Sequence, residues 1–192
     1  LGIPFESPWV FGDEAIYTAK TRAIVEDGNF LFDAYHYGGP KVPPLYSLVL
    51  APAYFTKNPV WNYHLILILN ALLSSLVIFP AFFIARRFLK EGASFLIAAL
   101  VSAYPSLFGF TYMVMSENLF FPLLLTAAWM FLLTMEKRRS ASAGILLGIT
   151  FGALAITRVV GIFPLIAFVL VSIIQLFLKK RPMGEFFFFV LR

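Results

Sequence analysis

Five uncharged apolar runs, at about residues 65–85, 93–115, 118–135, 140–157 and 159–178, constrain this chain more than any other feature. Each is long enough, or nearly so, to cross a ~30 Å hydrocarbon layer as an α-helix. In lipid a backbone must satisfy its hydrogen bonds within its own segment or in a closed barrel. The runs show none of the period-two alternation a barrel strand needs, so helix is the expected form. Hydrophobic residues make up 60% of the chain and charged residues 13%, against about a quarter charged in an ordinary soluble domain. The expected fold class is all-α, a polytopic helical membrane protein.

The charges that remain say how the helices are threaded. The formal net charge is +5, and nine of the fifteen basic residues fall in three clusters: Arg86-Arg87-Lys90, Lys137-Arg138-Arg139 and Lys179-Lys180-Arg181. Clusters between apolar runs are a topology signal rather than a nucleic-acid-binding stripe, and they belong on the cytoplasmic side. Each is separated from the next by two runs, as a consistent topology requires. Spans are expected at about 62–88, 93–112, 117–135, 141–157 and 159–178, with another beginning near 185. Residues 62–192 then form a transmembrane bundle, and residues 1–61 an extracytoplasmic loop. Because the chain opens on Leu1 and ends beside a fresh apolar stretch, Phe186–Leu191, it reads as a fragment lacking a preceding span and several following ones. No cleavable signal sequence is visible at its start.

Within the first loop, Ala15, Ile16, Ala19, Ala23 and Ile24 share a face at helical spacing. An amphipathic helix along the membrane surface is expected over residues 13–27. Asp27-Gly28-Asn29 should end it, since Gly and Asn tolerate a left-handed cap. A Tyr-, His-, Gly- and Pro-rich loop follows (Phe32 to Pro44). Pro44–Phe55 is apolar but too short for the ~20 residues of a spanning helix, and is expected to be re-entrant or interfacial. That choice sets the side of the membrane: with it, Asp13, Glu117 and Arg158 all lie outside, and the outer face gathers seven of the ten carboxylates.

Glu117 and Arg158 are the only charges at the outer ends of the later runs, where an ionisable group marks a functional-site candidate. Ser116 and Glu117 also fit an N-cap and first-turn charge, and Asp13-Glu14 likewise suit the start of a helix. The absence of cysteine excludes disulfides, thiolate metal sites and thiol nucleophiles. His36 and His64 have no partner at metal-ligand spacing. His64 is expected in an interfacial aromatic belt beside Trp61 and Tyr63.

The ordered set of Gly12-Asp13-Glu14 with Tyr17, Arg22 and Gly28, then Lys41-Val42-Pro43-Pro44-Leu45-Tyr46, Ser116-Glu117-Asn118-Leu119 and Thr157-Arg158, resembles the GT-C fold glycosyltransferases. These use polyprenyl-phosphate sugars and include the protein O-mannosyltransferases and the lipid A aminoarabinose transferase. The resemblance spans about residues 10–178. It implies a membrane glycosyltransferase that moves a sugar from a polyprenyl-phosphate donor to a protein, lipid or glycan acceptor on the outer face of a plasma or ER-type membrane, with inversion. Asp13, with Glu14, takes the catalytic place, and Glu14 orients substrate or binds Arg22. Arg158 and Lys41 hold the donor phosphate, although relatives often place Lys or His directly before Pro-Pro and Val42 intervenes here. Glu117, Arg22, Tyr37 and His36 shape the pocket. No metal or other cofactor is expected; an oligosaccharyltransferase-like enzyme holding a divalent cation on Asp13 and Glu117 is the metal-dependent alternative. From outside the enzymes, a transporter or lipid flippase is the rival, and it predicts charges or broken helices at the bilayer midplane.

Overall fold

The computed structural model describes residues 12–30, 42–56, 58–135 and 141–178. Among them all regular structure is helical. Helix α1, Gly12–Asp27, opens with Asp13 and Glu14, where negative charge opposes the positive end of the helix dipole. It stops at Gly28, whose φ of 63° suits a residue without Cβ. The Asn29 amide closes the end on the Ala23 carbonyl at 3.0 Å.

The buried side of α1 differs from the expected apolar face. Glu14, Tyr17, Lys20, Thr21, Ala23 and Ile24 point inward, whereas Ala15 and Ala19 are exposed. Glu14, Tyr17, Thr21 and Ile24 follow a spacing of three and four residues, which makes a single stripe. The stripe is polar because α1 rests on other parts of the protein that offer hydrogen-bonding groups. A helix resting on lipid alone would turn its apolar side down.

Helix α2, Leu45–Leu50, continues as a short 3-10 helix, Ala51–Phe55. Together they measure roughly 20 Å at ordinary rises, less than the ~30 Å of a hydrocarbon core. Tyr46, Leu50 and Ala53 pack with Tyr17 of α1 and with Tyr63, Ile66 and Leu67. Those last three belong to α3, Pro59–Ser75, whose N-cap Asn58 accepts from the Val60 and Trp61 amides. After a turn at Leu76-Val77 comes α4, Ile78–Ala85. Pro80 lacks the N–H that would reach the Leu76 carbonyl, and the Phe79 amide takes that carbonyl at 3.3 Å instead.

Helix α5, Glu91–Ser102, runs back along α4, and α6, Pro105–Thr111, continues beside α3. The single span expected over 93–112 is therefore broken, with a bend of 50°. Tyr104 is extended (φ −61°, ψ 128°), as a residue preceding proline prefers. Then come α7, Glu117–Met135, and α8, Ala141–Thr157, followed by a 3-10 turn, Val159–Gly161, and α9, Ile162–Leu178. Among the described residues, Pro59–Ala85 and Glu117–Thr134 are long and apolar enough to cross a membrane, and the bent α5–α6 pair makes a third if counted as one span. Helices α8 and α9 have 17 residues each, about 25 Å of helix.

Two packing registers position the site. Ser74 of α3 bonds Asn118 of α7, and farther along Phe83 stacks on Trp129 at 4.7 Å, so α3–α4 and α7 run parallel. Phe120 and Ala127 of α7 cluster with Leu147, Phe151 and Leu154 of α8, and Thr150 meets Met130 while Arg158 meets Glu117, so the two helices run antiparallel. The start of α7 and the end of α8 are thereby brought together.

Candidate functional site

The segment between α6 and α7, residues 112–116, is the hub of a buried polar network. Asn118 donates to the carbonyls of Phe110 (2.8 Å), Met113 (3.2 Å) and Met115 (3.0 Å), while its Oδ1 accepts from the Ser74 hydroxyl at 2.7 Å. Asn70 of α3 donates to the Met113 carbonyl at 2.8 Å and accepts from the Tyr46 hydroxyl at 2.7 Å. The Glu14 carboxylate, reaching from α1, accepts from the Val114 amide at 2.7 Å. Turn carbonyls and amides placed inside a helical bundle need such partners, because a buried unpaired polar group costs about 1–3 kcal/mol. Three amide or carboxylate side chains from three helices supply them here.

At the end of this segment stands Ser116, fully buried. Its Oγ accepts from the Tyr17 hydroxyl at 2.8 Å and from Arg158 Nη1 at 3.2 Å. Ser116 holds the N-cap position of α7, its carbonyl accepting the Phe120 amide at 2.8 Å, but both lone pairs of its hydroxyl oxygen are used elsewhere, so the side chain links α1 to the end of α8. Burial pushes the Tyr17 phenol above its ordinary value, outweighing the Ser116 hydrogen bond and the Arg158 charge, which pull it down. Tyr17 therefore stays protonated and donates.

Arg158 Nη1 also forms an ion pair with Glu117 Oε1, and the guanidinium lies over the Phe120 ring, 6.0 Å from its centroid. Among the described residues, Nη2 and Nε of Arg158 meet no partner. The side chains of Arg158 and Glu117 are 29% and 16% exposed, so the pair is accessible from outside. Glu117 Oε2 is buried and without a donor among the described residues. The backbone fixes Arg158 as firmly as its side-chain partners do. Residue 158 is extended (φ −147°, ψ 143°), its amide bonds the Leu154 carbonyl at 3.1 Å, and its carbonyl takes the Gly161 amide at 2.8 Å. A Cβ on Gly161 would fall 2.1 Å from the Leu154 carbonyl oxygen, so only glycine permits this turn.

The residues singled out by sequence are not all brought together. Glu117 and Arg158 are in direct contact, and Asp13 stands exposed one turn before Tyr17, close enough to influence that phenol along with Arg158 and Glu117. Glu14 is adjacent in the chain but fully buried on the Val114 amide. Arg22, expected in the pocket or on Glu14, lies on the exposed side of α1 with Glu26 at 3.7 Å, because position 22 falls off the inward stripe. Lys41, His36 and Tyr37 lie outside the described residues. His64 sits edge-on to Trp61, ring centroids 6.0 Å apart. No three His, Asp or Glu residues come together as a metal-binding group among the described residues.

Sequence reasoning missed Tyr46, Asn70 and Ser74 as organisers. The available signal was Asn70 with Ser74, four residues apart on one helix face inside an otherwise apolar run, where polar side chains turn toward the bundle interior.

No curated protein and no solved structure matches the chain. The model of the dolichyl-phosphate-mannose-protein mannosyltransferase family matches residues 41–191. The matched stretch includes the Ser116-Glu117-Asn118 segment and Arg158 and leaves α1, with Asp13 and Glu14, outside it. Given a match over most of its length, and a bundle that joins Glu117 to Arg158 at one end, the chain belongs to the dolichyl-phosphate-mannose-protein mannosyltransferase family of membrane glycosyltransferases.

Proposed function

We propose that the chain moves a glycosyl group from a polyprenyl-phosphate donor to an acceptor hydroxyl on the extracytoplasmic face, by single displacement with inversion. The observation that carries this reading is the state of Arg158. One nitrogen is tied to Glu117 and Ser116, while Nη2 and Nε stay open among the described residues. That open edge suits bidentate contact with a phosphate. Glu117 and Ser116 fix the orientation of the guanidinium, so less is lost in ordering it when the phosphate arrives. Lys41 is the second cation proposed for the phosphate.

Asp13 is the proposed base. As the bond from the anomeric carbon to the phosphate oxygen breaks, the acceptor oxygen attacks from the opposite face and its proton passes to the Asp13 carboxylate. The leaving phosphate keeps the bonding electrons and is stabilised by Arg158. Asp13 is exposed at the head of α1, the helix whose Tyr17 is bonded to the Ser116 that also holds Arg158. No metal takes part in the proposed step.

The test is turnover by the full-length protein in lipid nanodiscs, with a polyprenyl-phosphate mannose donor and a hydroxyl-bearing peptide acceptor. Asp13→Asn should lower kcat by about 10²–10⁴-fold, the usual size of a general-base contribution. Arg158→Ala should raise the donor KM and lower kcat/KM. Wild-type turnover in both variants, at normal expression, would remove this reading.

A further inference from the structure

Ser116 is uncharged and fully buried, so it offers nothing directly to a substrate. Its hydroxyl is nonetheless where the two halves of the proposed chemistry meet. On one side is α1, which carries Asp13 and reaches Ser116 through Tyr17; on the other is Arg158, the proposed phosphate ligand. Glu117, the ion-pair partner of Arg158, is the next residue in the chain. Three elements distant in sequence, α1, the start of α7 and the turn after α8, thus converge on one oxygen atom.

We infer that Ser116, together with Tyr17, is a positioning device that fixes Arg158 relative to Asp13, and so sets the distance between the bound phosphate and the base. The inference rests on the reading of Arg158 and Asp13 given above. Several features of the geometry support it. Arg158 uses the same nitrogen for Glu117 and for Ser116, so the two contacts pin the guanidinium along one edge, and the opposite edge meets no partner among the described residues. Tyr17 is buried, its ring packs edge-on against Tyr46 at 5.0 Å, and Tyr46 is itself anchored on Asn70. The Tyr17 hydroxyl therefore has little freedom to follow a displaced Ser116. Glu14, three residues earlier on the same stripe of α1, bonds the Val114 amide two residues before Ser116. These two ties fix α1 to the 112–116 segment in register as well as in distance. Displacement of a reacting group by 1 Å can lower a rate by about 10²-fold, so the loss of this link should be felt in catalysis out of proportion to its effect on folding.

The experiment compares wild type with Ser116→Ala, Ser116→Thr and Tyr17→Phe in the full-length protein in nanodiscs. It records donor KM, kcat, inhibition by the bare polyprenyl monophosphate, and the unfolding temperature. Ser116→Ala should raise the donor KM and weaken monophosphate inhibition by about 10-fold or more, and lower kcat toward the ~10²-fold limit. Tyr17→Phe should lower kcat with a smaller change in KM, because it removes one of the two ties of α1 while leaving Arg158 on Glu117 and Ser116. Ser116→Thr, which keeps the hydroxyl, should restore most of the activity. Wild-type constants in both Ser116→Ala and Tyr17→Phe overturn the inference. So does a loss in Ser116→Ala that tracks a lowered unfolding temperature and is not repaired by threonine. If Arg158→Ala and Asp13→Asn are themselves fully active, the functional reading has failed; if they are inactive while Ser116→Ala and Tyr17→Phe are both normal, only the positioning role has failed.

Discussion

Asp13 and Glu14 are neighbours in the chain yet occupy opposite surroundings. Successive residues on a helix are turned about 100° apart, so Asp13 faces outward while Glu14 enters the protein and accepts the Val114 amide. We propose that Glu14 anchors α1 and that proton transfer belongs to Asp13 alone. Glu14→Ala should then lower stability by about 1–3 kcal/mol, the usual consequence of a buried donor left unpaired, as read from chemical unfolding in detergent. Glu14→Gln keeps an acceptor oxygen and should retain the fold and most of the turnover. A Glu14→Gln protein that folds normally yet is as inactive as Asp13→Asn would return a proton-transfer role to Glu14.

Among the elements, the turn between α8 and α9 is the one most sharply defined by a single residue. Arg158 is aimed by a 3-10 turn whose Gly161 presses on the Leu154 backbone. A methyl group there meets a carbonyl oxygen that belongs to a helix and cannot swing aside as a flexible side chain would. Gly161→Ala should therefore lower stability by about 1–3 kcal/mol and reduce activity by roughly 10-fold or more through displacement of Arg158. Thermal unfolding and donor kinetics on the same preparation check both effects; an unchanged donor KM would show that the turn does not aim Arg158. The broken α5–α6 pair makes a related point. Pro105 forces Tyr104 out of the helix, and α6 is left alongside α3, where the segment after it is within reach of Tyr63 and Asn70.

For the whole molecule, the bundle places the Arg86-Arg87-Lys90 cluster and the Ser116–Arg158 site toward opposite ends of its parallel α3–α4 and α7 helices. If the basic cluster is cytoplasmic, the site is extracytoplasmic. Residues 1–192 contain no cysteine, so single cysteines introduced there report the topology of this segment. Asn29→Cys, at the exposed end of α1, should react with a membrane-impermeant maleimide in intact cells. Lys90→Cys should react only after the membrane is opened. The reverse pattern would put the site on the cytosolic side and defeat the proposed orientation.

The sequence alone was enough for the helical membrane class, for the end of α1 at Gly28, and for Glu117 and Arg158 as charges of interest. Each of these follows from local chemistry: an apolar run must be helical in lipid, a left-handed residue favours glycine, and a charge at the end of an apolar run needs a reason. Tertiary structure decided which charges touch, and that the hydroxyl of Ser116, at the N-cap position of α7, joins α1 to Arg158. It also decided that the inward face of α1 is polar, and that the span expected over 93–112 bends at Tyr104. The contacts depend on partners contributed by other helices, 99 residues away for Tyr17 and Ser116 and 42 for Arg158 and Ser116, whereas the bend has a local cause in Pro105. A hydroxyl or a carboxylate has several acceptable partners, so periodicity along one helix does not specify which of them packing will bring within 3 Å.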